Sequence, residues 1–237
     1  MRHDGRRPKQ LREVKLTRNV NAYAEGSCLI EMGATKVQVT ASVDQKIPGW
    51  LKGSDKGWVT AEYGMLPRAN RDRSRRGKKS GRDYEIQRLI GRSLRAVTDL
   101  KLMADMQVIL DCDVMQADGG TRCASITAAY VALHDAFKRC LAAGDIKRMP
   151  LTDSLAGISV GIVGGNALLD LDYVEDSGAD VDANFVITGR GRLVEIQITG
   201  EESTFSDDEL SELLALARFG AKKLTSMQRK VIRSEGK

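Results

Sequence analysis

Apolar and polar residues alternate in short runs along the first part of the chain, which is the pattern of half-buried β-strands. Two such runs, 27–32 and 36–43, flank Gly33-Ala34 and predict a hairpin. A third run, 58–65, follows a loop of glycine and lysine and predicts another strand. The chain is therefore expected to open on β-structure.

Between residues 83 and 102, the spacing of the apolar residues changes to that of a helix. Ser80, followed three residues later by Asp83, is a helix-start signal. The apolar stripe then recurs at positions three and four apart. Its members are Ile86, Leu89, Ile90, Leu94, Val97 and Leu100. This pattern predicts a helix over 83–102.

A strand, a glycine turn and a helix are predicted in direct succession after this point. Residues 106–115 are predicted to be the strand, Gln116 to Arg122 the turn, and Cys123 to Ala142 the helix.

The second half repeats this style. Strands are predicted around two glycine turns, at 155–163, 167–173, 184–188 and 192–199. A final amphipathic helix is expected to begin near Ser206 and to run past Leu224. No interdomain linker is predicted between the two halves. We therefore predict one α+β domain over 1–237, built from two similar βαβ-containing lobes.

Composition narrows the class of protein. The chain has 237 residues, 42% of them hydrophobic, and no apolar run of membrane-spanning length. Its basic N-terminus lacks the apolar segment of a secretion signal, so no membrane partner and a cytoplasmic location are expected. The four cysteines match no zinc spacing. His3 and His134 are expected to lie far from other catalytic-looking groups, which argues against a Ser-His or Cys-His nucleophile.

Positive charge is concentrated in one segment, 68–82, within a chain of net charge +5. This basic arm holds a single acid, Asp72, and almost no apolar residue. A dense run of like charges is either a solvated surface loop or an arm that binds a polyanion, and we favour RNA binding. The basic residues are Arg68, Arg71, Arg73, Arg75, Arg76, Lys78, Lys79 and Arg82.

Gly119-Gly120-Thr121-Arg122 is a candidate anion site. A helix N-terminus offers unpaired N–H groups, and glycines let a small anion approach them. Thr121 adds a hydroxyl and Arg122 a bidentate fork for phosphate oxygens. An ordinary strand-to-helix turn is the alternative. Arg82 could join the same site or be one more solvated cation.

Residues 170–182 form an acid-rich segment. Asp176 and Asp182 can share one ion only if the chain turns back near Ser177-Gly178. Carboxylates without His or Cys suit Mg²⁺ or Mn²⁺, whereas the alternative is an exposed acidic loop. Asp111 and Asp113 share one strand face and form a second acidic patch or anchor arginines. The segment's acids are Asp170, Asp172, Glu175, Asp176, Asp180 and Asp182.

Taken together, these segments resemble the ribonuclease PH family along nearly the whole chain. Three long stretches support the resemblance: AEYGMLPR (61–68), EIQRLIGR (85–92) and DCDVMQADGGTR (111–122). Three features depart from the family. Cys123 stands where the family usually has threonine, Gln-Ile-Thr-Gly (197–200) replaces Gln-Gly-Thr-Ala, and the arm is short.

The resemblance implies a phosphorolytic 3′→5′ exoribonuclease that trims the 3′ ends of transfer RNA precursors, releases nucleoside diphosphates and works reversibly. It implies a homohexameric ring assembled as three dimers, with Mg²⁺ or Mn²⁺ as cofactor and inorganic phosphate as co-substrate. It also implies residue roles. Arg82, Gly120, Thr121 and Arg122 would hold phosphate, Asp176 and Asp182 would hold the metal or handle the proton, and Arg68, Arg71, Arg73, Arg75 and Arg76 would guide RNA.

Two other functions compete with this interpretation. A catalytically inert, RNA-binding ring subunit would be expected to lack Arg122 or the acids, and this chain keeps both. A metal-dependent hydrolytic nuclease would need the acids but no phosphate site.

Overall fold

In the part of the chain that the structure describes, the fold consists of two β-sheets and four α-helices. The computed structural model describes residues 2–77, 79–103, 105–201 and 203–234. The strands are β1 (Val14–Arg18), β2 (Gly26–Met32), β3 (Thr35–Asp44), β4 (Trp58–Met65), β5 (Gln107–Gln116), β6 (Leu155–Val163), β7 (Asn166–Leu169), β8 (Val181–Thr188) and β9 (Leu193–Gly200). The helices are α1 (Gly81–Arg95), α2 (Thr121–Ala143), α3 (Tyr173–Asp176) and α4 (Asp207–Arg233).

The first sheet has the order β1-β2-β3-β5-β4 among the described residues. Adjacent strands in this sheet are antiparallel, except that β4 and β5 are parallel and are connected through α1. This is the expected βαβ unit. In β3, buried and half-buried side chains alternate, as the sequence period predicted.

The second sheet has the order β7-β6-β8-β9 and is antiparallel throughout the described residues. Its strand β6 is buried on both faces. A Cβ at Gly157 would lie 2.9 Å from the Cα of Cys123 in α2, whereas Ile158 faces Gly220 of α4. Helices on both faces explain why β6 is a continuous apolar run.

Helix α2 joins the two lobes. It packs against β2 and β3 of the first sheet and against β6 of the second. Because it is enclosed from several sides, its apolar residues occupy most of its circumference. One hydrophobic cluster includes Tyr63 of the first sheet, Phe137 of α2 and Phe185 of the second sheet. The predicted α+β fold of two lobes is confirmed, and the parallel βαβ unit lies in the first lobe.

Two predicted boundaries differ most from the structure. Helix α1 ends at Arg95 and not near 102, because the chain leaves the helix after Ala96 and Thr98 bridges to Leu151. The strand predicted over 167–173 ends at Leu169, because Asp170 adopts a left-handed backbone with φ of +58°.

The predicted helix-start signals are confirmed. Ser80 and Asp83 form a capping box at the start of α1, and Ser206 caps α4. Lys78 of the basic arm lies outside the described residues. Among the helices that the structure describes, none combines the length and apolar character needed to cross a bilayer.

Candidate active site

A cavity of about 350 Å³ opens at the start of α2. The six residues predicted for phosphate and metal chemistry all line it, together with side chains from both sheets. They are Arg82, Gly120, Thr121, Arg122, Asp176 and Asp182. An adjoining hollow toward β9 shares Arg82, Arg122 and the two aspartates. Residues separated by up to 100 positions along the sequence therefore meet at one place.

The two glycines of the loop adopt left-handed backbone conformations, with φ of +74° at Gly119 and +67° at Gly120. A Cβ at Gly119 would lie 2.6 Å from the carbonyl carbon of Asp172, so only glycine fits there. Thr35 secures the loop, because its hydroxyl donates to the Gly119 carbonyl at 2.7 Å and accepts from the Asp118 N–H at 3.0 Å.

The N-terminus of α2 is open toward the cavity. In the described part of the chain, no side chain caps this end. Its first N–H groups are thus available to an anion, and the helix dipole favours negative charge there. The N-terminal turn of α1 lines the same cavity through Ser80, Arg82 and Asp83. Two helix N-termini therefore converge on one space, which the sequence patterns alone did not indicate.

Thr121 and Arg122 are each held by a neighbour. The Thr121 hydroxyl lies 2.9 Å from the Tyr63 hydroxyl, and burial raises the pKa of that phenol. The Arg122 side chain is only 17% exposed, and its Nη1 donates to Oε1 of Gln197 at 2.6 Å. An anion bound here would meet a positioned guanidinium and not a mobile surface charge.

The structure divides the acid-rich segment into two groups. Three acids turn away from the cavity and pair with arginines near the N-terminus. Arg12 binds Asp170, Arg2 donates to Glu175 at 2.6 Å, and Arg6 contacts Asp172 and Glu175 at 3.3 Å each.

These three paired acids fix the chain segment behind the cavity. The expectation that both histidines lie away from catalytic-looking groups is wrong, because His3 Nε2 lies 2.8 Å from Asp172 Oδ2 and His134 Nδ1 lies 3.1 Å from Asp135 Oδ1. Neither histidine lines the cavity. His3, Asp172 and Glu175 lie close enough together for a metal site, but both acids are already engaged by Arg6.

Asp176 and Asp182 remain in the cavity. The chain turns back between them, as expected: Ser177 caps α3, and the Gly178 N–H donates to the Glu175 carbonyl at 3.3 Å. Burial, and then the charge of Asp176, raise the pKa of Asp182 to about 6, while Arg122 opposes the rise. Burial also raises the pKa of Asp176, against the charges of Arg82 and Arg122.

These two carboxyls fit a hard divalent cation. They are oxygen donors without His or Cys beside them in the cavity lining, and the arginines opposite can hold phosphate oxygens that complete a coordination shell. Magnesium sites commonly combine one or two carboxylates with substrate phosphates.

Asn184 is a cavity residue that the sequence patterns missed. Its Nδ2 donates to Asp182 Oδ2 at 3.2 Å, and its Oδ1 accepts from the Cys123 thiol at 3.2 Å. The period of two along β8 placed Asn184 on the same face as Asp182, so strand alternation could have found it. The hydroxyl of a threonine at position 123 could also donate a hydrogen bond to Asn184. Cys123 therefore keeps the hydrogen bond that the usual threonine can form.

The basic arm leaves and re-enters the fold at the cavity. Met65 and Asn70, near the start of the arm, line the cavity, and so do Ser80 and Arg82 at its end. Residues 70–77 are all exposed. None of the five predicted RNA-guiding arginines, Arg68, Arg71, Arg73, Arg75 and Arg76, forms an ion pair within the described residues.

Asp111 and Asp113 do not anchor arginines among the described residues. Burial is the main cause that raises the pKa of Asp111, and the negative charges of Asp113 and Glu62 raise it further, whereas the charge of Lys79 lowers it. They therefore form an acidic patch together with Glu62, which Lys79 contacts from the end of the arm.

The fold and the cavity define a two-lobed protein in which an open helix N-terminus and two arginines face paired carboxyls. Two models of the 3′ exoribonuclease family match the chain, domain 1 over residues 10–138 and domain 2 over 153–219. The chain is 55% identical over 236 residues to ribonuclease PH of Methylobacterium radiotolerans, covering 98% of this chain and all of that one. It is 56% identical, with the same coverage, to ribonuclease PH of Methylorubrum populi. The chain belongs to the 3′ exoribonuclease family.

Solved structures share the fold. Rice Rrp46 superposes with a TM-score of 0.81 at 19% identity, covering 98% of this chain and all of that one. A chain of the Archaeoglobus fulgidus exosome with RNA bound to the active site gives a TM-score of 0.80 at 25% identity, covering 95% and 91%.

Proposed function

We propose that this protein is a phosphate-dependent 3′→5′ exoribonuclease, which shortens RNA one nucleotide at a time and releases nucleoside diphosphates. One observation supports this most directly. The open N-terminus of α2 and the two arginines Arg82 and Arg122 share a cavity with the paired carboxyls of Asp176 and Asp182. A small anion and a scissile phosphodiester can be held side by side there. The full-length likeness to ribonucleases PH supports the same activity.

The reaction requires two phosphate groups to approach each other. An oxygen of inorganic phosphate attacks the phosphorus of the last phosphodiester, the bond to the 3′ oxygen breaks, and that oxygen takes up a proton. Catalysis is therefore mainly positioning and neutralisation of charge. Arg82 and Arg122, with the N–H groups of the Gly120–Thr121 turn, bind and orient the attacking phosphate. Because a phosphodiester is exchanged for a phosphoanhydride, the reaction runs in both directions.

Asp176 and Asp182 handle the other half of the reaction. Burial raises the pKa of both carboxyls, so each keeps a proton at a higher pH than an exposed aspartate does and can pass it to the leaving 3′ oxygen. The same two residues would hold Mg²⁺ or Mn²⁺, which when bound would offset the negative charge of the scissile phosphate. Asn184 keeps the carboxylate of Asp182 aimed into the cavity.

The polymer is proposed to enter along the basic arm. Its exposed arginines can contact backbone phosphates without reading bases. We further propose transfer RNA 3′ ends as the substrate, a homohexamer of three dimers as the assembly, and the cytoplasm as the location. The RNA bound in the active site of the Archaeoglobus fulgidus exosome supports RNA as the polymer.

A single assay tests the proposal against its rivals. RNA labelled in its 3′-terminal nucleotide is incubated with Mg²⁺, with and without inorganic phosphate, and the released nucleotide is identified. Phosphate-dependent release of nucleoside diphosphate is expected. Release of monophosphate without added phosphate would identify a hydrolytic nuclease instead, and binding without release would identify an inert subunit.

A further inference from the structure

Gln197 lies between two opposite charges beside the anion site. Its Oε1 accepts from Arg122 Nη1 at 2.6 Å, and its Nε2 donates to Glu85 Oε1 at 3.1 Å. The two ends of a primary amide are chemically different, one accepting and one donating. The cation and the carboxylate therefore select the same orientation of the amide.

The backbone register places Gln197 at this position. On β9 it pairs with Asn184 of β8, and Thr199 pairs with Asp182. Paired residues of antiparallel strands point to the same face, so Gln197 lies on the face that holds the carboxyls. It lines the hollow that adjoins the cavity, together with Glu85 and Arg122.

Among the described residues, Glu85 is the carboxylate that lies within 4 Å of Arg122. Arg122 Nη1 lies 3.8 Å from Glu85 Oε1, too far for a hydrogen bond but close enough for an ion pair after a small movement. A direct ion pair with Glu85 would turn the Arg122 guanidinium away from the anion site and would offset the positive charge that binds phosphate. The neutral amide satisfies both groups and keeps them apart.

We propose that Gln197 is a positioning residue for the phosphate site: it separates Arg122 from Glu85 and holds the guanidinium so that its remaining N–H groups face the bound phosphate. This inference rests on the proposed function, because Arg122 must be a phosphate ligand. Gln197 itself acts through Arg122.

The chain offers a matched control. Glu195 lies two residues earlier on β9, on the same face, and accepts from Arg92 of α1 at 2.7 and 2.9 Å. Both Gln197 and Glu195 therefore link β9 to α1, but neither Arg92 nor Glu195 lines the cavity. Glu195→Leu removes a comparable link between β9 and α1 but removes no hydrogen bond of Arg122.

The test compares Gln197→Leu with Glu195→Leu in phosphorolysis of a short RNA. For Gln197→Leu we expect the KM for inorganic phosphate to rise about tenfold or more, as the loss of one charged hydrogen bond typically causes. The KM for RNA should stay within about twofold. Glu195→Leu should leave both values near those of the unmodified protein. An equal rise in the phosphate KM for both variants would show a merely structural role and overturn the inference.

A second variant tests the separation from Glu85. Adding Glu85→Gln to Gln197→Leu removes the competing carboxylate, so the phosphate KM should recover by several fold. No recovery in the double variant would overturn the spacer role.

A readout independent of turnover is the rise in melting temperature caused by inorganic phosphate alone. It should shrink in Gln197→Leu and persist in Glu195→Leu. If the unmodified protein needs no phosphate for turnover, the proposed function fails. If it needs phosphate and Gln197→Leu behaves normally, only the present inference fails.

Discussion

Arg12 binds Asp170 through two parallel contacts, Nη2 to Oδ1 at 2.7 Å and Nε to Oδ2 at 3.1 Å. The same guanidinium donates to the carbonyl of Asp118, one residue before the glycine loop. A residue of the N-terminal segment thus connects the two sides of the cavity, the glycine loop and the acid-rich segment. The pair is buried, with Asp170 1% exposed.

Arg12→Ala is expected to lower the free energy of unfolding by about 3–5 kcal/mol, because it leaves the buried carboxylate of Asp170 unpaired. Denaturant unfolding measures this. Lys15→Ala is the control: Lys15 contacts Glu31 at 3.7 Å and is 69% exposed, so its loss should cost at most about 1 kcal/mol. Equal destabilisation of the two variants would contradict the role assigned to Arg12.

Arg122→Ala is expected to remove phosphorolysis while RNA binding largely survives. The guanidinium lies in the cavity at the start of α2, where we propose that it binds the small anion, whereas the basic arm is proposed to hold the polymer. Turnover at limiting phosphate and RNA affinity should be measured on the same preparation. Normal turnover of the variant under these conditions would rule out Arg122 as a phosphate ligand.

Asp176→Asn and Asp182→Asn are each expected to lose most catalysis and to weaken the dependence on Mg²⁺, with the fold intact. Both carboxyls line the cavity, and an amide can neither bind a hard cation as well nor pass on the proton. Asp180→Asn is the control, because Asp180 belongs to the same segment but does not line the cavity. Full turnover of both cavity variants at low Mg²⁺ would refute the assignment.

Stability should depend on pH through Asp182. Its pKa is raised from the ordinary 3.8 to about 6, so the folded state binds this proton more tightly than the unfolded state. Ionised Asp182 therefore lowers stability above about pH 6, by up to about 3 kcal/mol, and this penalty disappears as the pH falls toward 4. Asp182→Asn should be more stable than the unmodified protein at pH 8 and lose that advantage at pH 4.

The measurement is denaturant unfolding in EDTA without phosphate, since a bound cation would mask the effect. An advantage of Asp182→Asn that is the same at pH 4 and pH 8 would show that ionisation of Asp182 is not its cause.

Replacing Arg71, Arg73, Arg75 and Arg76 with alanine should weaken binding of long RNA and spare reverse polymerisation from a short primer. Removing up to four phosphate contacts should flatten the salt dependence by up to about 0.7 per contact for single strands. The loss should be similar across sequences, because such contacts read charge and not bases.

A charge-matched control uses four exposed basic residues of α4, Lys222, Lys223, Arg229 and Lys230. Alanine at these positions lowers the net charge equally. If both variants show the same salt slope for a transfer-RNA-sized substrate, the arm contributes only general charge.

The sequence by itself determined most of the local structure. Alternation with a period of two located β2, β3 and β4, because a strand with one buried face requires it. Ser80 and Asp83 predicted the start of α1 because a capping box is a local arrangement of backbone and side chain. The Gly119–Arg122 turn was likewise visible, since left-handed residues before a helix favour glycine.

Only the tertiary structure decided which distant partners the acids of the acid-rich segment take. Asp170 and Glu175 pair with Arg12 and Arg2, which lie 158 and 173 residues away along the chain. The link from Gln197 to Arg122 likewise spans 75 residues. Spacing along a chain cannot specify such pairs, because a buried charge takes whichever partner the packing of distant elements brings within hydrogen-bond distance. Of the acids in this segment that have no arginine partner among the described residues, Asp176 and Asp182 line the cavity, whereas Asp180 does not.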